Sequence, residues 1–110
     1  MRAGRDEAVD IFRKWLAEQT LIRVEGKFQA FSFGLWGRVL AVTPTELRIL
    51  SKRTESAELV LRLTPDLEFG YGDSRMANEQ KQLSEGIVVF FRSPEMTTPD
   101  TIALAAFKTS

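Results

Sequence analysis

KFQAFSFGLWGRV, residues 27–39, carries three phenylalanines, a leucine and a tryptophan, with alanine, serine and glycine threaded between them. Successive side chains of a strand point to opposite faces, so a residue shares its face with its second neighbour. On that period Phe31, Phe33 and Leu35 fall on one side and read as a core face. Phe28, Ala30, Ser32, Gly34 and Trp36 fall on the other. This second set reads as a shallow trough, small in the middle and aromatic at each end. The expectation is that a helix lies in it; the competing reading puts a ligand there.

A helix that could do so precedes the stretch. In DEAVDIFRKWLAE, residues 6–18, Ala8, Ile11, Phe12, Trp15 and Leu16 recur at helical spacing and share one face. Asp6, Glu7 and Asp10 crowd its first turns, where the helix dipole favours negative charge. After Thr20 the period changes from helical to two. The turn TPTE, residues 43–46, folds the chain back so that Val42 faces Leu47 and Leu40 faces Ile49, with Ala41 and Arg48 on the opposite side. In AELVLRL, Leu59, Leu61 and Leu63 share a side, and Val60 and Arg62 take the other. Beyond the turn at 64–66, Leu67, Phe69 and Tyr71 join the leucines and Glu68 is expected beside Arg62. Each link keeps the apolar set on a single face, which is what specifies register.

Residues 74–86 are poor in apolar side chains and read as a loop. IVVFF and TIALAAF are apolar on both faces, as buried strands are, and residues 92–100 connect them. The expectation is an α+β fold of one domain over residues 1–110: a helix at 6–18, then a six- or seven-stranded antiparallel meander over about 20–110, strongly curved or partly closed into a barrel. The run GRVLAVTPTELRILSKRTESAELVLRL resembles the strand–turn–strand pattern of pleckstrin-homology-like and GRAM domains. Those domains end in a capping helix, whereas this chain begins with one, as Sm-like small barrels do. The resemblance implies a fold and no function.

Composition narrows the chemistry. The 110 residues hold fifteen basic and fifteen acidic side chains, a balance that argues against nucleic acid or an anionic membrane as the main partner. Histidine and cysteine are absent, which removes disulfides, thiolate and imidazole metal sites, Cys nucleophiles and His bases. The inventory leans away from an enzyme, and no catalytic residue, metal or cofactor is expected. No apolar run approaches membrane-spanning length, and the default expectation is a cytoplasmic protein. FGYGDSR contains G-x-G but reads as a bent strand end.

A non-catalytic binding or interaction module is therefore expected; the alternative is a small-ligand or lipid-headgroup binder, or behind it an enzyme, using a pocket near the Phe28/Trp36 trough. The candidate ligand or partner surface is Phe28, Ser32, Trp36, Arg48 and Arg62. Arg48, Lys52, Arg53 and Arg62 form a mild basic cluster, diluted by Glu46, Glu55 and Glu58. If the helix covers the trough it does not also reach the last two strands. Val88, Phe90 and Phe107, with Ala103 and Ala105, are then candidates for self-association as a homodimer.

Overall fold

The structure is a computed structural model and describes residues 2–53, 58–72, 83–91 and 98–107. In chain order the elements are β1 (Arg2–Ala3), α1 (Arg5–Glu18), β2 (Leu21–Lys27), β3 (Ser32–Val42), β4 (Glu46–Ser51), β5 (Glu58–Arg62), β6 (Glu68–Tyr71), β7 (Leu83–Phe91) and β8 (Asp100–Phe107). The strands form one antiparallel sheet in the order β1-β6-β7-β8-β2-β3-β4-β5. Hydrogen bonds do not close it, so β1 and β5 are its edges. This is the expected α+β arrangement of one helix with a curved antiparallel sheet.

Helix α1 begins after Gly4, whose extended backbone caps it without a side-chain hydrogen bond. It ends where Gln19 enters the left-handed region, at φ 51°. There the Gln19 side chain donates back to the Leu16 carbonyl (2.7 Å). Ala8, Phe12 and Trp15 are buried, while Ile11 and Leu16 pack at the margin. They share one buried cluster with Ile22 and Val24 of β2, Val39 of β3, Leu47 and Ile49 of β4, Ile87 and Val89 of β7, and Leu104 of β8. All of these lie on one face of the sheet, the inner face. Arg5 fixes one end of the helix by donating to the carbonyls of Leu63 and Thr64. The Tyr71 hydroxyl donates to the Glu7 carboxylate, and Lys14 pairs with Glu85 at 3.0 Å.

The inner-face sets follow the period of two. The alternation is clearest in β2, where Ile22, Val24 and Gly26 are buried and the residues between them are not. Register brings Phe33, Leu35 and Gly37 of β3 opposite them. Leu59, Leu61 and Leu63 fall inward, as do Leu67, Phe69 and Tyr71. Val42 pairs with Leu47 and Ala41 with Arg48, as the turn at 43–46 implies.

Several expectations are corrected. Helix α1 does not lie in the trough of Ser32, Gly34 and Trp36, because those residues face away from it on the outer face. The trough is already occupied: the Arg23 guanidinium lies over Gly34, where a Cβ would overlap it, and sits 5.6 Å from the centre of the Trp36 ring. Phe28 is not part of the trough either, since it precedes β3 and its ring joins Phe33 of the inner set. Leu40 does not face Ile49: Val39 does, because the register slips between Val39 and Ala41 and leaves Leu40 exposed. A bulge of this kind displaces one residue from the alternation.

The link after β5 is a turn but not a hairpin. Arg5 holds the carbonyls of Leu63 and Thr64 beside the helix, and β6 pairs with β1 and β7 instead. Glu68 accordingly meets Arg2, at 3.4 Å, and not Arg62. The loop expected over 74–86 gives way to β7 from Leu83 onward, which pairs with β8. The rest of that expected loop, like residues 92–97 of the later connection, lies outside the described residues.

Burying a large apolar side chain is worth about 1.5–3 kcal/mol, and truncating a buried tryptophan also leaves a cavity. Trp15→Ala should therefore lower unfolding stability by about 3–5 kcal/mol in urea titrations. A loss below about 1 kcal/mol would mean that helix packing does not hold the fold. The Glu7–Tyr71 contact adds a pH dependence. The hydrogen bond to Glu7, then desolvation, then the Glu7 charge raise the Tyr71 phenol above its ordinary 10.0. A raised folded value means a contribution fully present below the ordinary value and lost as pH rises through the folded one. Lys14 is likewise raised, first by its hydrogen bond to Glu85. Stability should thus fall with pH above about 10, and Tyr71→Phe should show a shallower fall, with Lys14 supplying the remainder. Identical profiles for the two proteins would contradict this.

Candidate functional site

One helix cannot fill the inner face of this sheet. At about 4.8 Å per strand, eight strands measure about 34 Å across, and a helix is about 10 Å wide. Away from α1, the inner face is occupied by aromatic rings instead. The link between β2 and β3 is tight, with the Phe28 amide donating to the Phe31 carbonyl at 2.9 Å. It turns the Phe28 and Phe31 rings onto each other, with centres 4.9 Å apart and planes within 10°. Phe33 lies 6.2 Å from Phe28, and Phe91 at the end of β7 lies 6.0 Å from it. Gly26 makes the seat for this group: a Cβ there would overlap the Phe33 ring. Glycine is thus required by close approach, not by an unusual backbone angle.

Beside these rings is a cavity of about 1050 Å³ that opens to solvent. Its apolar walls are Phe28, Phe31, Phe33 and Leu35 from one side, Leu59, Val60 and Leu61 of β5 from another, and Phe91 and Ile102 from β7 and β8. Arg23, Gly34, Trp36, Ser51, Arg53, Glu58, Arg62 and Thr64 also line it, so the lining runs from the inner face round to outer-face residues of β3. Among the described residues, the large apolar side chains that stand exposed are Phe31, Leu40 and Val60. Two of these three border the cavity, so its mouth is where the protein presents apolar surface to water.

The charged lining is uneven. Arg23 is engaged, 3.3 Å from Glu25 and against the Trp36 ring. Glu58 is 3.7 Å from Arg48, which also holds Glu46 at 3.2 Å. Arg62 sits opposite Glu46 in register, but that carboxylate is turned to Arg48. Among the described residues neither Arg53 nor Arg62 has a carboxylate within 4.0 Å. Next to the cavity, the Thr64 hydroxyl donates to Asp66 at 2.6 Å and so holds that carboxyl below its ordinary value.

Of the residues singled out in the sequence, Phe28, Trp36 and Arg62 line the cavity. Ser32 is exposed on the outer face, and Arg48 lies there with its two glutamates. Sequence reasoning misses Leu59, Leu61, Phe91 and Ile102 as site residues, because strands distant in sequence supply them. Their signal is present only as surplus: more inward apolar residues than one helix stripe can cover. Val88, Phe90, Ala103, Ala105 and Phe107 do share the outer face, with Val88 opposite Ala103. Ala105 is buried and the others are half-buried, and Phe107 lies 6.0 Å from Trp36.

Among the described residues no group of acidic side chains could hold a metal ion, and no helix is long and apolar enough to cross a membrane. No known protein family, curated protein or solved structure matches the chain.

Proposed function

We propose that the protein is a non-catalytic binding module whose ligand places apolar surface in the cavity between the β2–β3 turn and β5. The observation that carries this reading is the aromatic-walled opening itself. It exceeds the roughly 300–1,000 Å³ of ordinary small-molecule pockets only slightly, and it is lined as they are, by hydrophobic side chains with a few polar groups. Phe31 and Val60 stand exposed at it and add apolar surface to its mouth. Acid–base catalysis needs a titratable group tuned by its surroundings. The charged groups here are three arginines and Glu58, which is exposed and 3.7 Å from Arg48.

Uptake of the neutral dye N-phenylnaphthylamine tests the proposal, because its fluorescence rises in an apolar site. The wild type should bind it saturably. Phe31→Asp and Val60→Asp alter exposed side chains and should leave folding intact while weakening uptake by roughly tenfold or more. Unchanged uptake in both variants would contradict the reading.

A second reading is self-association through Val88, Phe90 and Phe107. It is favoured by their shared outer face, which α1 does not cover. It predicts a dimer mass in sedimentation equilibrium that Phe107→Ser reduces to that of the monomer; a monomer at all micromolar concentrations would overturn it.

A further inference from the structure

We infer that the occupant of the cavity is a single-chain amphiphile with an anionic head, a carboxylate or a chemically equivalent group. Its tail lies among the phenylalanines, and its head is held by Arg53 and Arg62. The inference rests on the reading of the cavity as a binding site and adds what that site recognises.

Charge at the opening carries it. Four charged side chains line the cavity: Arg23, Arg53, Glu58 and Arg62. Arg23 is satisfied by Glu25 and by the face of Trp36, and Glu58 by Arg48. Arg53 and Arg62 remain, both exposed and neither beside a carboxylate among the described residues. Two guanidinium groups with no carboxylate within 4.0 Å among the described residues therefore stand at the border of an apolar cavity. A guanidinium presents a planar fork of donors that matches a carboxylate or phosphate, and it stays charged at any working pH. At a low-dielectric border its attraction for an anion exceeds that in open water.

Neither half of the site explains the other kind of ligand. A wholly apolar molecule would use the rings and ignore the arginines. A free inorganic anion would use the arginines and leave Phe31 and Val60 exposed. An amphiphile uses both. A bilayer is a poorer fit, because attachment to anionic membranes takes clusters of about four to eight basic residues. Here the lining arginines without a carboxylate within 4.0 Å among the described residues are two, and the whole chain is neutral. A free amphiphile that inserts its tail is the occupant the geometry points to.

Competition against bound N-phenylnaphthylamine decides it, with dodecanoate, decanoate and dodecanol as competitors below the concentrations at which they form micelles. Circular dichroism verifies that Arg53→Gln/Arg62→Gln folds like the wild type, as exposed substitutions should. Dodecanoate should displace the dye from the wild type at concentrations roughly tenfold or more below those needed for dodecanol. The double variant should erase that preference while leaving dodecanol unchanged. Decanoate, two methylenes shorter, should bind roughly tenfold more weakly than dodecanoate. Equal displacement by dodecanoate and dodecanol, or a preference that survives in the double variant, would overturn the head-group inference and leave the cavity reading standing. Failure of the dye to bind the wild type would overturn both. Binding to anionic phospholipid vesicles without displacement by dodecanoate would overturn the choice of a free amphiphile.

Discussion

The seating of Phe12 and Trp15 on the inner face of the sheet is the contact on which the rest depends. It gathers β2, β3, β4, β7 and β8 around one apolar centre, and it leaves the remainder of a wide sheet without a helix. A single helix of 14 residues, about 21 Å long, covers a band and not a surface. The sheet answers with rings in place of a second helix. Phe28, Phe31 and Phe33 stack where no helix lies, and Phe91 leans on Phe28 at a tilt. The cavity follows from that mismatch of one helix to eight strands.

Two glycines shape the division between faces. Gly26 yields its side-chain volume to Phe33 on the inner face, and Gly34 yields its volume to Arg23 on the outer face. With Arg23 in place, the outer surface near Trp36 is a filled cation–aromatic layer and offers no bed for a helix. The helix lies on the other side, where the buried apolar set is.

The alternation of apolar residues is legible in the sequence, because a period of two fixes which side chains share a face whatever the strand order. That is why the inward sets of β4, β5 and β6, the helix stripe and the pairing of Val42 with Leu47 agree with the structure. Partner choice is not legible. Nothing local distinguishes a turn that returns the chain from one that carries it past the helix, and the contact seen at Leu63 and Thr64 comes from Arg5, nearly sixty residues away. The bulge at Leu40 is hidden for a similar reason, since an inserted residue shows only against the partner strand. Of the candidate site, Phe28, Trp36 and Arg62 are visible as large or charged residues. The opposite wall, Leu59, Leu61 and Ile102, is visible only as ordinary core.

The inner face holds a packed region beneath α1 and, beyond it, the aromatic wall of an open cavity whose lining continues to Arg23, Gly34 and Trp36. Xenon enters apolar voids without needing any polar contact, so it reports space alone. In NMR spectra recorded under xenon pressure, shift changes should concentrate on Phe28, Phe33, Leu59, Leu61, Phe91 and Ile102. Signals of Ile22, Leu47, Ile49 and Ile87 should stay in place. Changes centred on the helix-covered residues, or none at the aromatic end, would contradict the account.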